Sequence, residues 1–182
     1  MISEKFIKTF KNKNILITGG TGMIGRQIVD ILCEAGAYVK SVSLEKMVIN
    51  KKAKYIYGDL SDFEFCKTIT RDMDFLFHIA GIKGSLEVTK AKPASFFVPL
   101  LMMNTNILEA SRINRVRKIV YTSSIGAYAS AEVFKENENL QGTPMDIFPG
   151  WAKRMAELQI QAYRIQYGLK NFAIVRPCNV YG

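Results

Sequence analysis

The sequence predicts an α/β fold, a three-layer α/β/α arrangement around a doubly wound parallel sheet, and three observations predict it. Short apolar runs alternate with amphipathic stretches from Asn14 to Val175. A glycine cluster stands where the first run gives way to the first amphipathic stretch. The 182 residues, 48% hydrophobic and 23% charged, suffice for one domain with a sizeable core and are too few for two large ones. Strands alternating with helices pair in parallel through right-handed crossovers, which puts helices on both faces of the sheet.

The elements follow in order. Residues 1–13 read as a polar, basic arm. Residues 14–18 form the first strand, and the helix after it carries Met23, Ile24, Ile28, Ile31, Leu32 and Ala35 at helical spacing. Gly36 is its natural stop. Residues 38–43 and 54–57 read as the second and third strands, joined by a basic connection. Ser61 with Glu64 three residues on is a capping box for a helix ending near Thr70. Residues 74–79 are apolar enough for a strand buried on both faces. A polar loop over 82–92 leads to Pro93, which suits the first turn of a helix running to Asn114 with a kink at Pro99. Residues 117–122 form the fifth strand, and 129–149 a loose loop on the side of the site. A helix from Gly150 or Trp151 to Tyr167 presents Trp151, Met155, Leu158, Ala162 and Ile165 on one face, and Gly168 ends it. Residues 171–175 form the sixth strand.

The glycine cluster selects the Rossmann version of this fold. Gly20, Gly22 and Gly25 satisfy GxGxxG, and Gly19, Gly22 and Gly25 satisfy GxxGxxG. In either frame glycines permit a tight turn and close approach of backbone to a ligand. The following helix N-terminus aims N–H groups and its dipole at a pyrophosphate. In an open parallel sheet the ligand lies at the carboxyl ends of the strands. There Gly19–Gly25, Asp59, Ala80-Gly81, Ser123-Ser124 and Pro177-Cys178-Asn179 converge.

Other classes are disfavoured. Lys and Arg exceed Asp and Glu by nine, but the lysines are spread along the chain, without the basic stripe or recognition helix of a nucleic-acid binder. No segment approaches the roughly 20 apolar residues of a membrane helix, and the N-terminus lacks signal-peptide order, so a cytoplasmic location is expected. Cys33, Cys66 and Cys178 read as reduced thiols, mostly buried. With His78 as the single histidine, no metal site is expected, and His78, Tyr128 and Trp151 read as packing residues.

Five segments in order then carry a resemblance: Thr18 to Gly25, Gly58-Asp59-Leu60, His78-Ile79-Ala80-Gly81, Tyr121 to Tyr128, and Arg176-Pro177-Cys178-Asn179-Val180-Tyr181-Gly182. With them the chain resembles the extended short-chain dehydrogenase/reductase family, specifically its NAD-dependent nucleotide-sugar epimerases and dehydratases, over essentially its whole length. The resemblance implies that Gly19, Gly22, Met23, Ile24 and Gly25 hold the pyrophosphate of NAD, and that Ser43 meets the adenosine ribose. It implies that Asp59 and Leu60 receive the adenine, and that Ala80 and Gly81 let the cofactor pass over the fourth strand. It implies that Ser124 hydrogen-bonds the reacting oxygen of a sugar, that Lys153 grips the nicotinamide ribose, and that Pro177 faces the nicotinamide with Asn179. It also implies a nucleotide-sugar substrate and a homodimer through the helices near 93–114 and 151–167, with Phe96, Phe97, Leu100, Leu101 and Met103 either contributing apolar surface to it or, more simply for several of them, packing in the core.

Three departures limit what carries over. The family's tyrosine base stands four residues before the lysine, and that position is Pro149, which has no ionisable group. Three explanations stand: another acid/base serves, such as Ser124 through water or a residue beyond this chain; the chain is a catalytically silent relative that binds nucleotide as a regulator or partner subunit; or Pro149 is a substitution. At the ribose, Ser43 accepts NAD or NADP, with Glu45 two residues on as an acid and Lys46 as a possible partner of a 2′-phosphate. The resemblance also implies a smaller substrate domain of more than a hundred residues after the last motif. Residues 1–182 are therefore expected to be the cofactor half, with the C-terminal substrate domain absent from this chain.

Overall fold

The strands β1 (Asn14–Thr18), β2 (Tyr38–Ser43), β3 (Lys54–Tyr57), β4 (Phe75–His78), β5 (Lys118–Thr122) and β6 (Phe172–Val175) make one sheet in the order β3-β2-β1-β4-β5-β6, parallel throughout. This is a computed structural model that describes residues 2–82, 84–136 and 141–181. The helices are α1 (Glu4–Phe10), α2 (Met23–Glu34), α3 (Phe63–Ile69), α4 (Leu86–Ala91), α5 (Ala94–Ile113) and α6 (Ile147–Tyr167), with a 3-10 turn at Ile125–Ala127. The chain moves outward from β1 to β3, then returns to the other side of β1 at β4. That reversal opens a crevice above the carboxyl ends of β1 and β4.

Alternation along β1 explains why both faces of the sheet are covered. Ile15 and Ile17 point to one side, packing with Val29, Leu32 and Val39 against α2. Leu16 points to the other, into a core with Leu76, Leu100, Ile107, Ile119 and Ile160 between the sheet and α3, α5 and α6. Burying a side chain of this size stabilises the fold by about 1.5–3 kcal/mol, so two such clusters fix the three layers.

Several expectations are corrected. The arm before β1 contains α1, capped by Ser3, whose side chain accepts from the Phe6 N–H. Phe10 packs edge-on to Phe75 at 5.0 Å, and this aromatic anchor is why a basic segment folds onto the sheet. On α2 the buried face is Gly25, Val29, Leu32 and Cys33, whereas Met23 and Ile31 are exposed, because the glycine lets the helix sit close to β1. The cap of α3 is Asp62, which accepts from Phe65 N at 3.1 Å, so the Ser61–Glu64 box does not form. The loop over 82–92 contains α4, capped by Ser85. Pro93 is the N-cap of α5, which continues through Pro99. Strand and helix boundaries otherwise agree within a residue or two, except at α6.

α6 begins at Ile147, with Pro149 inside its first turn, and its apolar face is reversed. Gly150, Ala152, Ala156, Ile160 and Tyr163 are buried, together with Arg154 and Glu157. Trp151, Met155, Leu158, Ala162 and Ile165 are all exposed. Small residues win the core because α6 lies against backbone: a Cβ added at Gly150 would stand 2.3 Å from the Gly126 carbonyl oxygen.

Candidate cofactor and catalytic site

The glycine turn is shaped by sterics that no other residue satisfies. Gly19 has φ of +73°, and a Cβ there would meet the Ala80 backbone at 2.8 Å. A Cβ at Gly25 would stand 2.1 Å from the Gly19 carbonyl oxygen, so the first turn of α2 rests on the strand end. Gly22 is the N-cap of α2 and offers no side chain between the helix N-terminus and the crevice. Gly20 instead backs onto Ser41, where a Cβ would lie 2.2 Å from the hydroxyl. The frame facing the crevice is therefore Gly19, Gly22, Gly25.

Above this turn lies a cleft of about 420 Å³. Its lining includes Gly19, Gly22, Met23, Ile24, Gly25, Ser43, Asp59, Leu60, Ala80 and Gly81, every cofactor residue expected from the sequence except Lys153 and Pro177. Thr21, Val42, Leu44, Glu45, Gly58, Ile79, Ile82 and Met103 also line it. Gly58 is required there, since a Cβ would overlap the Phe65 ring at 2.4 Å. Its place in the Gly58-Asp59-Leu60 segment was the signal for it. Asp59 accepts from Ser61 N at 2.8 Å, which aligns the carboxylate at the rim. The Ser43 hydroxyl donates to the Glu45 carbonyl at 2.8 Å, and Glu45 lines the cleft whereas Lys46 does not. Cβ-free glycines, a helix N-terminus and an acid at the ribose end fit a dinucleotide.

The second half of the site stands at the end of β5. Lys153 Nζ donates to the Thr122 carbonyl at 2.7 Å and lies 5.2 Å from the Tyr121 ring centre. Ser124 caps the 3-10 turn, accepting from Gly126 N at 3.1 Å. The Pro177 carbonyl accepts from Ile125 N at 3.2 Å, which ties the last segment to the same turn. Arg154, buried, donates to the carbonyls of Ala127 and Gly142 and so ties both to α6. Arg176 pairs with Glu157 at 2.6 Å and donates to the Tyr128 hydroxyl, which itself donates to the Glu136 carbonyl. Sequence reading did not single out Arg154 or Glu157, because charged residues on a helix ordinarily face water.

Beneath both halves runs a buried polar chain. Thr18 Oγ1 accepts from Ala80 N and lies 2.6 Å from His78 Nδ1; His78 Nε2 lies 2.9 Å from Asn104 Oδ1; Asn104 Nδ2 donates to the Ala152 carbonyl. One proton assignment satisfies all of it: the threonine hydroxyl donates to Nδ1, and Nε2–H donates to Asn104. Burial, with the Lys153 charge nearby, holds the His78 ring down to about 3, so it is neutral and sealed from the crevice. As expected, His78 is a packing residue, and Tyr128 is buried. Trp151 lies at the surface with Arg154 against its ring. Cys33 and Cys66 are buried and Cys178 is exposed; burial pushes the Cys66 thiol up to about 12. Among the described residues no cluster of His, Cys, Asp and Glu could hold a metal, and no helix is long and apolar enough to cross a membrane.

Sheet order, glycine turn and cleft together define a Rossmann dinucleotide-binding domain. The profile of the NAD dependent epimerase/dehydratase family matches residues 15–182, and the chain belongs to that family. A putative UDP-glucose 4-epimerase of Methanocaldococcus jannaschii is 33% identical over 177 residues, 92% of this chain and 56% of the relative. UDP-glucose 4-epimerase from Thermotoga maritima, solved with UDP-glucose, superposes with a TM-score of 0.80 at 31% identity over 93% of this chain and 56% of that one. The Thermus thermophilus enzyme, solved with NAD, gives 0.76 at 27% over 90% and 54%. The chain thus spans about half the length of the relatives it matches.

Proposed function

We propose that this chain is the NAD-holding part of an enzyme that oxidises a hydroxyl of a nucleotide-activated sugar, as an epimerase or a related dehydratase or dehydrogenase. The observation that carries the reading is the convergence of the glycine cleft with Ser124 and Lys153 at adjoining strand ends. NAD, the cofactor of the family, supplies hydride acceptance when bound. The residues of the chain do the rest. Gly19, Gly22, Met23, Ile24 and Gly25 surround the pyrophosphate, Ser43 and Glu45 take the adenosine ribose, and Asp59 and Leu60 take the adenine. Ala80, Gly81 and Pro177 bound its path, and Lys153 holds positive charge at the nicotinamide end. The acid at Glu45 repels a 2′-phosphate, which favours NAD over NADP. Ser124 orients the sugar oxygen by donating its hydroxyl hydrogen.

The exposed side chains Val98 and Met102 on α5, with Trp151, Met155 and Leu158 on α6, support a homodimer formed through these two packed helices. Three cysteines without a disulfide suit a reducing compartment, and the cytoplasm is the proposed location.

The test is to load the protein with NAD and mix it with UDP-glucose or UDP-galactose. Reduced nicotinamide, seen by its absorbance, is expected. Pro149 favours a second reading, a silent relative that binds the nucleotide and turns nothing over. Saturable NAD binding with no reduction by either sugar nucleotide would support that second reading instead.

A further inference from the structure

We propose that Asp146 stands in for the missing tyrosine: its carboxylate takes the proton of the sugar hydroxyl that Ser124 orients. This rests on the reading above, and four observations converge on it.

The first is position on the helix. Asp146, Pro149 and Lys153 are spaced i, i+3 and i+7, so they share one face of α6, and Asp146 lies one turn before the position that proline occupies. The second is proximity. A Cβ built on Gly126 would stand 3.5 Å from both Asp146 Oδ2 and Ser124 Oγ, so the carboxylate and the hydroxyl flank the same glycine. That Cβ would also lie 2.9 Å from Asp146 Cβ, so the close approach depends on glycine at 126. The Asp146 N–H donates to the Gly126 carbonyl at 3.2 Å, which fixes the spacing.

The third is freedom. Asp146 is the N-cap of the longest helix, yet its side chain makes no capping hydrogen bond, and it opens onto a cavity of about 130 Å³. Thr89 and Lys90 from α4 line the same cavity, and Pro149 forms part of its wall. Lys90 is the charged residue that lines this cavity with Asp146, among the described residues. Partial burial holds the Asp146 carboxyl above the usual carboxylate range, which makes it a stronger base than an exposed aspartate.

The fourth is elimination among the described residues near this end of β5. His78 is sealed and already fully hydrogen-bonded. Tyr121 touches Lys153 but is fully buried, and burial pushes its phenol up, away from the ionised form. Tyr128 is held by Arg176 and the Glu136 carbonyl, and Glu157 is paired with Arg176. Among these groups the Asp146 carboxylate alone both lines a cavity and flanks the glycine that Ser124 flanks.

In the step, the sugar O–H bond breaks and its proton passes to an Asp146 oxygen. The freed electron pair closes the C=O bond, and the carbon-bound hydrogen leaves with its pair as hydride to the nicotinamide, which is reduced. Return of hydride and proton restores the alcohol and the carboxylate.

The experiment compares wild type, D146N, D146E and D146N/P149Y, each in the protein as its own cells make it and loaded with NAD. Asparagine caps a helix as well as aspartate, so D146N is expected to fold. Reduction of the nicotinamide by UDP-glucose is expected to slow about a hundredfold or more in D146N, with UDP-glucose affinity by calorimetry changed less than threefold. D146E is expected to retain part of the rate, and P149Y to restore at least tenfold in the D146N background. As a readout independent of turnover, carbon-13 NMR of the aspartate carboxyls is expected to show the Asp146 signal move when UDP-glucose binds. An unchanged rate in D146N, or an Asp146 signal that ignores UDP-glucose, overturns the inference and leaves the enzyme reading intact. If wild type binds both ligands and never reduces the nicotinamide, the enzyme reading fails and the inference falls with it. Should D146N not fold, the D146E rate and the wild-type NMR arm decide alone.

Discussion

The two halves of the crevice are made of different material. On the side of β1, β2 and β4 the walls are backbone: Gly19 against Ala80, Gly25 against the Gly19 carbonyl, the N-terminus of α2 facing open space. On the side of β5 and α6 they are side chains, namely Ser124, Lys153 and the residues of the first turn of a helix. A wall of backbone is sterically unforgiving, because any Cβ at Gly19 or Gly25 meets main-chain atoms at 2.8 Å or less. A helix terminus that presents side chains tolerates exchange, and here it holds proline where a tyrosine was expected. The side proposed to hold the cofactor is thus built into the course of the chain, whereas the side proposed for chemistry is made of replaceable groups.

The largest effect expected from breaking this contrast is on the backbone side. G25V sets a branched side chain into the Gly19 carbonyl, and NAD affinity is expected to fall at least a hundredfold, about 3 kcal/mol, by calorimetric titration. Circular dichroism checks that the α/β fold persists.

Next comes the polar chain that joins the halves. His78 is held at about 3 against 6.5 in an open chain. The unfolded chain therefore takes up the proton first, so the stability this neutral ring supports is complete above 6.5 and drains away as pH falls toward 3. Over that window denaturant titrations are expected to show a loss of about 1.4 kcal/mol per pH unit. Stability flat from pH 6.5 to 4 would contradict the sealed, neutral histidine.

A smaller effect separates NAD from NADP. E45A removes the acid from the cleft wall and is expected to move the ratio of the two affinities about tenfold toward NADP, or ~1.4 kcal/mol. Competitive titration of both cofactors reads it. The smallest effect on the fold itself is at the exposed face of α6, where Met155 and Leu158 are each 50% exposed. M155D is expected to shift stability by no more than about 0.5 kcal/mol while abolishing a dimer seen by sedimentation.

The same contrast decides what could be read from the sequence. The glycine turn, the parallel doubly wound sheet and the ends of most elements were legible, because glycines and apolar runs report backbone constraints directly. The face of α6 was not. Trp151, Met155, Leu158 and Ile165 make a more apolar stripe than the small residues that Gly126 admits to the core, and that contact is made across a distance in sequence that no periodicity records. α1 was missed because two phenylalanines in a lysine-rich segment carry little signal until β4 supplies Phe75 to receive them. That Pro149 stands where the family has its tyrosine followed from the resemblance. Asp146 required the fold, since its nearness to Ser124 depends on how α6 starts over the 3-10 turn.

The central claim, that this chain holds NAD in the glycine cleft, is tested most directly by calorimetric titration of NAD into residues 1–182. Saturable binding at one site per chain, lost in G25V, is the result predicted. Absence of saturable binding by the unmodified chain, or binding that G25V leaves unchanged, would contradict it.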